Sequence, residues 1–113
     1  LELGNPVMPG PLVLGASVAF LAQIGLDAIG QRIGELTDRL HTALDARGIA
    51  IHTPRDTARR AGITMMEVGD AAKAEKNLNS QRIHVSARAG LIRVSTHLYN
   101  NEDDIDALLQ ALD

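Results

Sequence analysis

Residues 82–106 read RIHVSARAGLIRVSTHLYNNEDDID, and the alternation inside them decides the fold. Ile92 and Val94 flank Arg93, so Leu91 to Ser95 has the two-residue period of a half-buried strand. Ile83 and Val85 repeat that pattern from Arg82 to Ser86. The stretch between them, Ala87 to Gly90, is a turn. Parallel strands need a crossover of about a dozen residues, so these two form an antiparallel pair. Downstream, Asn101 stands three residues before Asp104, with Glu102 and Asp103 in the first turn of a helix, where the helix dipole favours acids. Ile105, Leu108, Leu109 and Leu112 give that helix its buried face.

Working upstream, Leu26, Ile29, Ile33, Leu36, Leu40 and Leu44 recur at three- and four-residue intervals and form one apolar stripe along a long helix. Asp27 is placed to cap its start and Gly48 to stop it, while Gln31, Arg32, Glu35, Asp38, Arg39 and Arg47 make the wet face. Pro11 can open an earlier helix running to Ile24, with Gly25 ending or kinking it. Residues 1–11, with Gly4, Pro6, Pro9, Gly10 and Pro11, form an extended arm, and residues 12–113 form one domain. Ile49 and Ile51 mark a short strand, Thr53 to Gly62 a connection, and Ile63 to Val68 a strand with Ile63 and Met65 on one face. Met65 and Met66 are expected at the core and the strand edge. Asp70 caps a short helix through Leu78. The expected fold is α+β, a two-layer α/β sandwich in which a small, mostly antiparallel four-stranded sheet carries its helices on one side.

Composition narrows the function classes. Of the 113 residues, 45% are apolar and 22% charged, a globular balance, and the net charge is -3. No basic stripe interleaved with aromatics supports nucleic-acid binding, and Arg55, Arg59 and Arg60 fit a wet loop. Cysteine is absent, which removes disulfides and thiolate chemistry from this chain. Leu12 to Ile24, broken by Gly15, Ser17 and Gln23, falls short of a membrane span, and no secretory signal pattern is present. His41, His52 and His84 lack ligand spacing, so no metal site is expected. Gly25, Gly30 and Gly34 lie at helical spacing, not that of a phosphate loop. The chain opens on Leu1, and a fragment of a longer protein is the expectation.

Arg93 and Arg88 are the leading candidates for chemistry. Arg93 points away from the Ile92 and Val94 face, which is either a solvated strand face or a guanidinium fork held on rigid backbone for a carboxylate. Arg88 precedes it in the turn and can reach the same region. His97 fits a general acid, a hydrogen-bonding strap or an exposed ring equally well. Tyr99 is expected beneath the loop with its hydroxyl bonded to backbone, and Asn100 and Asn101 are expected to hold the turn and cap the helix.

The stretch Ser86 to Asp106 resembles the C-terminal small domain of the class V aminotransferase family. These are fold-type I pyridoxal-phosphate enzymes that include cysteine desulfurases, kynureninase and isopenicillin N epimerase-like proteins. Arg88, Gly90, Leu91, Arg93, Ser95, His97, Tyr99, Asn100, Asp104 and Ile105 carry the likeness, and Glu2, Gly4, Asn5, Pro6 and Gly25 extend it upstream. The resemblance implies that Arg93 binds the α-carboxylate of an amino-acid substrate, with Arg88 beside it and His97 and Asn5 at the site edge. Gly4-Asn5 falls where many members have Gly-Thr, near the cofactor phosphate of the neighbouring subunit, so Asn5 departs from the family there. The resemblance also implies a cytoplasmic, homodimeric parent using pyridoxal 5'-phosphate, with the Schiff-base lysine in a large domain outside this chain. Lys73 and Lys76 are the chain's only lysines and sit in an unrelated context, so no cofactor is expected on this chain alone. A desulfurase would also need a reactive cysteine, which disfavours that branch unless the residue lies in the part of the parent outside this chain. The alternatives are a stand-alone interaction or regulatory domain with the same fold, and an independent small enzyme.

Overall fold

Gly25, at a φ of 94°, splits the helical first half of the molecule in two. The structure is a computed structural model and describes residues 9–112. Helix α1 (Pro9–Ile24) starts two residues before the expected Pro11. Both prolines fall in its first turn, where a missing amide donor has no helical partner to lose. α1 carries no charged residue and buries none of its side chains. Helix α2 (Leu26–Ala46) leaves it at a bend of 75°. Asp27 does not cap α2, contrary to expectation: Gly25 holds that position without a side-chain bond, and Asp27 already lies in the first turn. There its charge still faces the positive end of the helix dipole. No single helix among the described residues is long and apolar enough to cross a membrane, although α1 and α2 pass that test together as a bent pair.

The sheet has three strands, β1 (Ile63–Glu67), β2 (Ser86–Arg88) and β3 (Leu91–Ser95), in the order β1-β3-β2 and antiparallel throughout. Two expectations are corrected here. The Ile49 and Ile51 segment forms only one isolated bridge, Ile51 with Met66, and not a fourth strand. It still runs alongside β1, because His52 N–H donates to Met65 O at 2.9 Å and Glu67 N–H to Ala50 O at 2.8 Å. The strand expected from Arg82 to Ser86 begins only at Ser86. Arg82 has a φ of 65°, and Val85 N–H donates to Asn79 Oδ1 at 3.2 Å, so this backbone is satisfied from helix α3 (Ala71–Ser80) instead of a ladder. The turn shrinks accordingly to Ala89 and Gly90, both at positive φ (50° and 80°), the two-residue hairpin connection that matches strand twist.

Alternation along the strands separates two faces. Thr64, Met66, Ile92 and Val94 are buried against Leu36, Leu40 and Leu44 of α2, Ala71 and Leu78 of α3, and Ile105, Leu108 and Leu109 of helix α4 (Glu102–Ala111). All the core-forming helices therefore cover one side, as the α+β sandwich requires. Each fully buried large apolar side chain there contributes about 1.5–3 kcal/mol. A polar layer runs through the same interface: Thr37 Oγ1 and Thr96 Oγ1 are 2.8 Å apart, and His41 Nε2 lies 2.9 Å from Thr64 Oγ1. Gly62 makes that layer possible, since a Cβ there would stand 2.2 Å from Thr96 O.

Caps and ion pairs fix the helices. Asp70 accepts from Lys73 N–H at 3.0 Å to start α3. Asn101 and Asp104 form a reciprocal capping box at the start of α4, at 3.0 and 3.1 Å. Arg32 binds Glu102 through two bonds of 2.7 and 3.1 Å and holds its carboxyl at about 2. Arg39 binds both oxygens of Asp106 at 2.8 and 2.9 Å, a second tie between α2 and α4.

Candidate functional site

The face of the sheet turned away from the helices carries the candidate site. Antiparallel partners directly opposite one another share a face, so the register sets its layout. Ser86, Arg93 and Met65 form the middle row, with Arg88, Leu91 and Glu67 on one side of it and Ser95 and Ile63 on the other. Arg93 thus stands on the central strand with a small polar neighbour on β2 and an apolar one on β3's other flank. It is half-buried and faces away from the helices, as its place between Ile92 and Val94 implies. Its Nε is buried without a hydrogen-bond partner among the described residues. Leaving a donor unsatisfied in this way costs about 1–3 kcal/mol.

Arg88 differs from its expected position. It ends β2 opposite Leu91 and lies outside the turn, exposed on the same face as Arg93. Met65 and Ser86, which flank Arg93, were not singled out as site residues; the signal that finds them is the strand register. Glu67 is drawn the other way, 3.6 Å from His52 Nε2.

His97 lies just beyond β3, exposed, and its ring stacks on Tyr99 with centroids 4.7 Å apart. Tyr99 is 77% exposed, which corrects the expectation of a tyrosine packed beneath the loop. Stacking on the imidazole replaces burial as the ring's contact. Asn100 and Asn101 do hold the turn. Asn100 Oδ1 accepts from His97 N–H at 2.9 Å, and its Nδ2 donates to Asp104 Oδ2 at 3.0 Å. The Asn100 Nδ2 bond, followed by that from Asn101 N–H, lowers the Asp104 pKa. A groove of about 460 Å³ opens beside this turn, lined by His84, Ser95, Tyr99, Asn100 and Asp104 among others. Asn5 lies outside the described residues.

The buried His41 is a different kind of group. Desolvation, reinforced by Arg60 and Arg55, lowers its pKa and keeps it neutral beside Thr64. Among the described residues no cluster of histidines and acids has the arrangement of a metal site. The residues on the open face do not make a Schiff-base site either. Both lysines, Lys73 and Lys76, stand exposed on α3, across the sheet from Arg93. No lysine of this chain therefore stands beside Arg93 on the open face.

Residues 29–112 match the family described as the kynureninase C-terminal domain. The chain belongs to that family. A probable cysteine desulfurase of Halalkalibacterium halodurans is 29% identical over 128 residues, covering 99% of this chain and 31% of that protein. A probable cysteine desulfurase of Pyrococcus abyssi is 26% identical over 99% of this chain and 32% of its own length. The apo cysteine desulfurase of Thermococcus onnurineus NA1 superposes with a TM-score of 0.93 at 23% identity, over 98% of this chain and 32% of that one. A NifS-like protein gives 0.82 at 23% identity, over 99% and 34%. This kynureninase C-terminal-type domain thus spans about a third of the length of these relatives, and its resemblance to the small domain of class V aminotransferases holds.

Proposed function

We propose that this kynureninase C-terminal-type domain is the substrate-carboxylate-holding part of a pyridoxal-phosphate enzyme acting on an amino acid, and that it is inactive alone. The unpaired Nε of Arg93, on the central strand of an open sheet face, carries this reading. With no hydrogen bond at Nε, the side chain gives up none there when it turns toward an incoming anion. Nε–H and an Nη–H together match the two oxygens of a carboxylate, and such charge-assisted pairs orient as well as attract. Fixing the α-carboxylate fixes the remaining bonds at the α-carbon relative to whatever group attacks them. Residues 1–11 then lead in from a large domain, and residues 12–113 form the small one. The bare apolar surface of α1, a helix that begins at Pro9 and so crosses that boundary, supports a packing partner outside this chain, since a helix apolar all round is normally buried. The parent is a cytoplasmic homodimer in this reading, and its large domain supplies the lysine.

The relatives' name, cysteine desulfurase, is not carried over. A desulfurase needs a thiolate nucleophile, and this chain contains no cysteine. Its match to the Halalkalibacterium protein also runs to 128 positions against 113 residues, so the relative has residues that this chain lacks. A transaminase or epimerase parent fits better.

Titrating the chain with pyridoxal phosphate and following visible absorbance tests the division of labour. The expected result is no saturable aldimine band. A saturable band removed by substituting Lys73 or Lys76 would overturn the proposal.

A further inference from the structure

We propose that Arg88 and Arg93 act together as a two-cation reader, selecting amino acids whose side chain carries a second carboxylate. This rests on the reading above, in which Arg93 takes the α-carboxylate. The β2-β3 register pairs Arg88 with Leu91 and Ser86 with Arg93, so Arg88 and Arg93 are diagonal neighbours on one face. Such diagonal positions lie about 7–8 Å apart at the backbone, within the joint reach of two long side chains. The tight Ala89-Gly90 turn, with both residues at positive φ, locks this register and so locks the pair.

Electrostatics give the pair its meaning. Arg32, Arg39, Arg55 and Arg60 each bind a carboxylate of the chain, namely Glu102, Asp106, Asp45 and Asp38. Arg88 and Arg93 have no hydrogen-bond or ion-pair partner among the described residues. Glu67, the one acid among the strand residues of this face, lies beyond Leu91 from Arg88 and sits near His52. Two neighbouring guanidinium groups without an intervening acid repel one another, and an anion placed at each relieves that repulsion. Leu91 and Met65, half-buried on the same face, offer apolar contact to the methylenes between the two carboxylates. A short amino-dicarboxylate of aspartate or glutamate size satisfies all of these features at once, whereas an amino acid with a neutral side chain leaves Arg88 unused.

The test is NMR titration of the 113-residue chain with L-alanine and with L-glutamate at constant ionic strength, read at the arginine Nε–Hε resonances. Glutamate is expected to bind more tightly than alanine, by up to about fivefold, the scale of one exposed ion pair. Arg88→Gln should abolish that preference, lowering glutamate affinity more than alanine affinity until the two are equal. Arg82→Gln, an exposed arginine outside the strands, should change neither. Equal affinities in the unaltered chain, or equal losses from Arg88→Gln and Arg82→Gln, would overturn the two-cation reader while leaving the role of Arg93 intact. Alanine binding that survives Arg93→Gln would instead overturn the carboxylate reading itself.

Discussion

The two faces of one small sheet obey different rules. On the helix side Met66 and Ile92 are 0% exposed, and the buried polar side chains pair among themselves, Thr37 with Thr96 and His41 with Thr64. On the other side, one residue along the same strands, Ile63 is 49% exposed and Arg93 buries an unpaired donor. Burial and hydrogen bonding account for the first set completely. They do not account for the second, where a buried donor and an exposed isoleucine are left without partners among the described residues.

Neighbouring residues on opposite faces give the sharpest contrast. Ile92→Ala should cost about 3 kcal/mol in urea unfolding, because it empties space at the centre of the core. An intermediate effect comes from acid. The His41 pKa is lowered in the folded state, so its contribution is complete above the unfolded value of about 6.5 and is lost as pH falls below it. Urea midpoints should therefore drop between pH 7 and pH 5, and His41→Gln should flatten that slope. The Arg32 pair with Glu102 acts lower, since its contribution is full above the ordinary glutamate value of 4.5 and fades toward about 2. The smallest change is expected at Arg93. Arg93→Met removes an unsatisfied donor from a half-buried position, and stability should stay within about 1 kcal/mol or rise. A loss as large as that of Ile92→Ala would make the two faces alike and the comparison empty.

Much of this was legible in the chain. The alternation around Ile92, Arg93 and Val94 placed the arginine on the face away from the helices, and the Asn101 and Asp104 spacing located the capping box. Both are local patterns whose period or spacing leaves one geometry. The rest depends on tertiary choices. Ile83 and Val85 alternate like a strand, yet a left-handed Arg82 and a side-chain acceptor from Asn79 keep that backbone out of the ladder. That displacement shortened the turn, and only the shorter turn puts Arg88 on a strand end diagonal to Arg93. Tyr99 was misjudged for a similar reason, because its partner is an exposed imidazole two residues away and not the core. The capping of α2 turns on where Gly25 breaks the helix, two residues before Asp27.

The most direct measurement of the central claim is the Arg93 Nε–Hε resonance during titration of the chain with L-alanine. A saturable shift at Arg93 that leaves Arg32 and Arg39, already paired to Glu102 and Asp106, unmoved is the predicted result. An Arg93 resonance that stays fixed throughout, in a chain that backbone spectra show to be folded, would contradict it.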